Sequence, residues 1–209
     1  ALMTLGLESN QIQDLAALSG LESLRLAQNT ISKLAPLTAL TSLTVLTLWS
    51  NLIVDIFQLS ELVALKQLEL GSNQIVEISP LAGLTQLTVI DLGSNAIVDI
   101  SPLNNLLASM VLNLGSNQIS DITPVSGLSE IVTLLLPGNQ ITDVSSLSGL
   151  ESASLIILDN NQITDISSLA LNLGLGTGDV LGLRNNPLSP ESLSTTIPEL
   201  ESRGVTVTR

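Results

Sequence analysis

Residues 65–86 read LKQLELGSNQIVEISPLAGLTQ, and residues 87–108 repeat the pattern as LTVIDLGSNAIVDISPLNNLLA. The same unit recurs along nearly the whole chain, each time around an asparagine in a stretch of the form LxxLxLxxNxI. Successive asparagines are separated by 19 residues, then by 22 residues six times, and finally by 25. A fixed period of this length is typical of stacked structural units. The sequence therefore predicts a solenoid.

Each unit divides into a strand and a return path. Apolar residues alternate before the asparagine, as at Leu68 and Leu70, which predicts a short strand with one buried face. The unit is too short for a long helix, and its SPL or SSL segment suits a tight 3₁₀ turn. Successive strands then lie parallel, ~4.8 Å apart. We expect about nine strands that span roughly 40 Å.

The recurring asparagine has a structural explanation. Its side chain offers two donors and an acceptor close to the backbone. We expect it to satisfy unpaired backbone groups at the strand end, in its own coil and in the next, because buried polar groups must be paired. The predicted ladder consists of Asn29, Asn51, Asn73, Asn95, Asn117, Asn139 and Asn161.

These motifs resemble the leucine-rich repeat family, and in particular its bacterial internalin-like subclass, with 22-residue units and an NxIxDIxPLxxLxx second half. The resemblance implies an α/β leucine-rich repeat solenoid, a right-handed coil with a parallel concave sheet and a 3₁₀ or extended convex side. It also implies an extracellular or bacterial cell-surface setting and a role in adhesion or ligand binding. The motif is specific for the fold and weak for function, because such scaffolds serve many partners.

The two ends of the chain differ. Residues 1–186 form the predicted solenoid and residues 187–209 a C-terminal cap, in one continuous domain. In the cap, Ser189 suits the N-cap of a helix and Gly204 its C′ position, Pro198 is expected to shorten or kink the helix, and the valines after Gly204 suit a final strand.

The N-terminus carries no comparable cap, so its first coil is expected to expose Ile12 and Leu15. Solenoids need polar caps to stay soluble. Either an upstream cap has been removed, or another chain covers this end through self-association.

Composition excludes several classes of function. The 209 residues contain 6 Lys and Arg against 19 Asp and Glu, a formal charge of −13, with no Cys and no His. The chain therefore has no disulfide, thiolate site or Ser-His-Asp triad, and its charge disfavours nucleic acids and anionic membranes. No apolar run is long enough to cross a membrane. We expect that the protein is not an enzyme and that it binds no cofactor.

The strand positions between the buried leucines are expected to face solvent on the concave side. Three features stand out there: a single tryptophan, an apolar patch, and a polar row beside a flat floor of glycines. They comprise Trp49; Leu135, Leu155 and Ile157; and Glu69, Asp91 and Asn113.

Each feature also has a simpler interpretation. In this interpretation the tryptophan only packs on neighbouring side chains, and the apolar patch is either inert or covered by the terminal segment. Two stacked carboxylates have the spacing of a retaining glycosidase, but the absence of a wall and of a nearby aromatic platform disfavours an enzyme.

A second acidic column lies four residues after the asparagines. It consists of Asp14, Asp55, Glu77, Asp99, Asp121, Asp143 and Asp165, with Lys33 in the second unit. Stacked carboxylates suit a calcium ladder. Capping of the following turn through backbone N–H groups is the favoured interpretation.

Two functions follow from these features. The first is a non-catalytic module that presents its concave surface to a protein, or to a glycan. The second is a structural spacer or self-assembling segment of a larger surface protein. No feature favours a third, an intracellular enzyme-binding subunit.

Overall fold

A computed structural model describes residues 2–13 and 20–209. Asp14 of the acidic column and Leu15 of the first coil lie outside the described residues. Ten strands of three residues form one parallel sheet in chain order. Strands β1 to β10 are Thr4–Gly6, Ser23–Arg25, Val45–Thr47, Gln67–Glu69, Val89–Asp91, Val111–Asn113, Thr133–Leu135, Leu155–Ile157, Val180–Gly182 and Thr206–Thr208.

In the coils whose return path the structure describes, short turns lead the chain back on the opposite side, as the SPL and SSL segments predict. Most are 3₁₀ turns, and the turn before β9 is a single α-helical turn, α1. They span Ala35–Ala39, Phe57–Glu61, Ser79–Leu81, Ser101–Leu103, Thr123–Val125, Ser145–Leu147 and, for α1, Ser167–Ala170. Among the described residues, no helix has the length and apolar character that a membrane crossing requires.

The leucines of successive coils stack as the period predicts. Leu68 lies opposite Ile90 in the sheet register, and Ile90 lies opposite Leu112. All three are fully buried and belong to one continuous aliphatic core. Because each coil buries its apolar face only against its neighbours, the stack is stabilised coil by coil.

In the described residues the sheet has ten strands, nine from the repeats and the final strand that the valines after Gly204 predict. The additional strand is β10, whose Val207 lies opposite Leu181 of β9. It comes from the C-terminal cap, so the cap extends the sheet by one strand as well as covering the core.

The cap helix begins where the sequence predicts. The backbone N–H of Ser192 donates to Ser189 Oγ over 3.1 Å, and Gly204 ends the helix with φ +93°. Pro198 does not shorten the helix. A π turn, Ser192–Thr196, leads directly into the α-helical segment α2, Ile197–Ser202. A proline lacks an N–H and crowds the preceding turn, and the wider π turn accommodates this.

The ladder asparagines connect each coil to the preceding one, not to the next. The Nδ2 of Asn117 donates to the carbonyl of Leu114 in its own coil and of Leu92 one coil earlier. Its Oδ1 accepts from the backbone N–H of Ile97, also one coil earlier, at 3.0 Å. The same three types of bond are made by Asn29, Asn51, Asn73, Asn95, Asn139 and Asn161.

Candidate binding groove

An open groove of about 490 Å³ runs across the concave face of the sheet, from the third coil to the eighth. We call it the concave groove. Its lining is Trp49, Gly71, Ser72, Asp91, Gly93, Ser94, Asn113, Gly115, Ser116, Leu135, Pro137 and Ile157. The groove therefore crosses the strands instead of following one of them.

The concave groove brings together five of the seven predicted concave residues. Members of all three predicted features line it: Trp49, Asp91, Asn113, Leu135 and Ile157. Trp49 is 36% exposed, and the other four are half-buried. The predicted features, separate in the sequence analysis, are therefore parts of one surface.

Two of the predicted residues lie elsewhere. Glu69 lines a neighbouring depression of about 260 Å³, which shares Trp49 with the groove. Leu155 is half-buried and lies opposite Val180 in the sheet, outside the groove lining. Glu69 lies opposite Asp91 in the sheet register, although the two side chains line different depressions.

The sequence suggested a flat floor of glycines, but in the structure this floor is not flat. Each glycine leaves space for a side chain from the following coil to lean over it. A Cβ at position 71 would lie 3.2 Å from Asp91 Oδ1, and one at 93 would lie 2.9 Å from Asn113 Nδ2. At position 115 the added atom would meet the Pro137 ring at 2.9 Å. Because these positions are glycines, the side chains of Asp91, Asn113 and Pro137 can lie over them and shape the surface of the groove.

Asp91 is the one formally charged side chain among the described residues that line the groove. Its Oδ1 accepts from the Gly93 N–H and from Asn113 Nδ2, both at 2.9 Å. Within residues 2–13 and 20–209, no hydrogen bond reaches its Oδ2. One carboxylate oxygen is thus fixed by the protein, and the other remains free for a ligand.

One side of the groove is formed by serines that the sequence analysis did not single out. Ser72, Ser94 and Ser116 each precede a ladder asparagine and have φ values of 55° to 57°. This left-handed conformation is unfavourable for a residue with a Cβ, and the fixed turn keeps the serines exposed at the groove. The recurring Ser-Asn pair was the sequence signal for this position.

The acidic column on the far side of each coil caps the turns. Each carboxylate of the column that the structure describes accepts a hydrogen bond of 2.8 Å from the backbone N–H two residues later. The acceptors are Asp55, Glu77, Asp99, Asp121, Asp143 and Asp165. The backbone N–H of Thr123, aided by its hydroxyl, lowers the pKa of Asp121.

The backbone N–H and hydroxyl of Ser167 lower the pKa of Asp165 in the same way. No group of three acidic residues suited to a metal occurs in the part of the chain that the structure describes. The backbone hydrogen bonds agree with the predicted capping of the turns.

Comparison with known proteins agrees with this geometry. A family model described as Leucine Rich repeats (2 copies) matches residues 63–105. A search of curated proteins finds no match. Among solved structures, internalin C2 from Listeria monocytogenes is 33% identical, with a TM-score of 0.80 over 98% of this chain and 80% of that chain.

Two more distant structures share the fold. The functional domain of InlJ from Listeria monocytogenes is 19% identical, with a TM-score of 0.70 over 88% of this chain and 44% of that one. The ectodomain of the Arabidopsis thaliana receptor kinase GASSHO1/SCHENGEN3, in complex with CASPARIAN STRIP INTEGRITY FACTOR 2, is 24% identical. Its TM-score is 0.80 over 100% of this chain and 27% of that one.

Proposed function

The chain belongs to the internalin-like family of bacterial leucine-rich repeat proteins, and from this premise we propose that it is a non-catalytic recognition module. Its concave groove binds a segment of a protein partner at the bacterial surface or outside the cell. The plant receptor ectodomain with the same fold holds a partner in its solved complex, which is consistent with a recognition role.

The observation that carries the proposal is the shared groove. Trp49, the polar pair of Asp91 and Asn113, and the apolar pair of Leu135 and Ile157 all line it. An aromatic and several aliphatic groups around a few polar atoms are the composition of a protein-binding site. A protein segment suits this lining better than a glycan does, because only one aromatic ring is available for a sugar to stack on.

A library of displayed protein fragments tests the proposal. We expect the wild-type chain to select binders whose affinity falls by about tenfold or more in Leu135→Asp, because a buried apolar contact becomes a desolvated charge. Thr133→Asp is the matched control, because it adds the same charge to the same strand outside the groove lining. If every selected binder tolerates Leu135→Asp, the proposal is wrong.

The structure also offers an observation for the second candidate, a self-assembling segment. Leu5, Leu7 and Ile12 of the first coil are only half-buried, whereas Leu24 and Leu26 in the next coil are fully buried. A second copy stacked on this face would complete their burial. Sedimentation across protein concentrations tests this role: association that Leu5→Asp abolishes supports it, and a monomer throughout contradicts it.

A further inference from the structure

We propose that the concave groove recognises an extended peptide segment in which a Lys or Arg lies three residues from an aliphatic side chain. This inference rests on the proposed function and specifies its ligand. The cation binds beside Asp91, and the aliphatic group contacts Leu135, Pro137 and Ile157.

The spacing follows from the sheet register. Asp91 lies opposite Asn113, and Asn113 lies opposite Leu135, so the three residues form a straight row across consecutive strands. Strands lie ~4.8 Å apart, which places the first and last members ~9.6 Å apart. A peptide with polyproline II geometry advances ~3.1 Å per residue and presents every third side chain on one face. Three residues therefore cover ~9.3 Å, which matches the row.

The charge of the ligand follows from Asp91. It is the single formal charge of the described groove lining, and its Oδ2 accepts no hydrogen bond from the described residues. Both carboxylate oxygens lie within 3.3 Å of the position that a Cβ on Gly71 would occupy. Gly71 follows Trp49 by one repeat, so the carboxylate leans toward the coil that carries the indole. A carboxylate attracts positive charge, so Asp91 favours a cationic ligand. Trp49 lines the same groove.

The centre of the row suits the backbone of the peptide. Asn113 uses its Nδ2 on Asp91 and its Oδ1 on the Gly115 N–H, so its orientation is fixed. The hydroxyls of Ser94 and Ser116 make no hydrogen bond within the described ranges, and both line the groove. Free hydroxyls on one side of the groove can pair with the exposed carbonyls of an extended ligand.

The protein itself provides a site-specific signal for the test. Trp49 is its only tryptophan, and it has no tyrosine, so intrinsic fluorescence reports on the groove. The probes are the capped peptides PPRPPLPP and PPLPPRPP, which present both chain directions in a stiff extended conformation. Control peptides are PPEPPLPP, with the charge reversed, and PPRPLPPP, with the spacing shortened by one residue.

We expect one of the two probes to shift the Trp49 emission saturably at concentrations on the order of 1 mM or below. Asp91→Asn should weaken that probe about fivefold and reduce its salt dependence, because an ion pair is lost. Glu69→Gln is the matched control: it removes the carboxylate directly opposite Asp91 in the register, outside the groove lining. It should weaken the probe less than Asp91→Asn does, because Glu69 lies one strand away from Asp91.

Several outcomes would overturn the inference. They are no binding of either probe, binding of either control peptide as tightly as the better probe, or equal losses in Asp91→Asn and Glu69→Gln. The fragment library separates this failure from failure of the proposed function. Binders that depend on the groove but have no Lys or Arg three residues from an aliphatic residue would contradict the proposed ligand only. A library without any groove-dependent binder would contradict both the proposed ligand and the proposed function.

Discussion

The first and the last coils of the solenoid carry similar strands but lie in different surroundings. In the first coil, Leu5 and Leu7 are half-buried, and Leu2 is 62% exposed. In the last repeat, Leu181 and Leu183 are buried beneath the cap, whose Ile197 and Leu200 are themselves fully buried. A coil of this kind has no core of its own, and the same leucine pattern is stabilising only where a neighbouring layer covers it.

The cap is also attached through hydrogen bonds to backbone carbonyls. The Arg203 guanidinium donates to the carbonyls of Ala170, Asn172 and Leu175, over 2.9 Å to the first and 2.6 Å to the last. Asn172 is fully buried and donates to the carbonyls of Leu147 and Leu150. This segment replaces the regular return path of a 22-residue unit, so the covered end depends on a few specific contacts.

Gly174→Ala should have the largest effect on the covered end. A Cβ at this position would overlap the backbone of Glu151, whose Cα and carbonyl carbon lie only 2.5 Å away. We expect the cap to detach or the free energy of unfolding to fall by about 4 kcal/mol or more, since backbone cannot move aside. Chemical denaturation measures this, with Gly149→Ala as the control because a Cβ there meets nothing within 4 Å. Equal stabilities of the two variants would contradict the steric argument.

Asn117→Ala and Asn10→Ala compare the interior of the ladder with its open end. Removing the Asn117 side chain leaves two buried carbonyls and the Ile97 N–H without their partner. This should lower the free energy of unfolding by about 2–4 kcal/mol. Asn10 is exposed, and among the described residues its side chain donates only to carbonyls of its own coil. Its loss should therefore amount to less than about 1 kcal/mol. If urea denaturation shows similar losses of unfolding free energy for the two variants, the hydrogen bonds between coils do not make the interior asparagine more stabilising.

Arg203→Met tests the attachment of the cap without changing its apolar surface greatly. Three carbonyls lose a charged donor, and we expect a loss of about 1–3 kcal/mol. The amides of β10 and α2 should then exchange hydrogen faster, whereas those of β4 to β6 keep their protection. Arg209→Met is the control, because Arg209 forms an exposed ion pair with Glu201. Uniform acceleration along the whole chain would argue against local detachment.

Ser146→Pro should stabilise the stack between the two ends. Ser146 Oγ is buried and has no hydrogen-bond partner among the described residues. The equivalent turn residues in the preceding coils are Pro80, Pro102 and Pro124. The substitution removes the unpaired hydroxyl and restricts the unfolded chain, for a gain of about 0.5–1 kcal/mol. Thermal unfolding measures this gain. A lower Tm would mean that this turn differs from its neighbours.

Acid should produce the smallest effect, in the turns of the coils. The pKa values of Asp121 and Asp165 are lowered in the folded protein by backbone N–H groups. Their contribution to stability is therefore present above the unfolded pKa of about 4 and is lost as the pH falls through the folded values. The double variant Asp121→Asn and Asp165→Asn should unfold with a shallower dependence on pH in this range. A dependence as steep as that of the wild type would contradict the capping contribution.

The backbone of the repeat was predictable because each constraint on it is local and periodic. Leu68, Ile90 and Leu112 fall into register from their 22-residue spacing alone, and Ser189 and Gly204 are recognisable helix boundaries. The final strand was predicted from the valines after Gly204, whereas its pairing with β9 and the accommodation of Pro198 depended on how the cap packs. The ladder direction was wrong because the sequence shows which atoms an asparagine offers but not which neighbouring coil they meet.

The sequence by itself determined the period, the aliphatic core, the asparagine ladder and the capped turns, since these depend on residue type and spacing along the chain. Only the tertiary structure decided which side chains share a surface. Asp91 leans over Gly71 and Pro137 leans over Gly115, and these contacts join the polar row to the apolar patch while Glu69 lies in a separate depression. The physical reason is that packing between neighbouring coils fixes the direction of each side chain. The residues that pack in this way are about 22 positions apart in the chain.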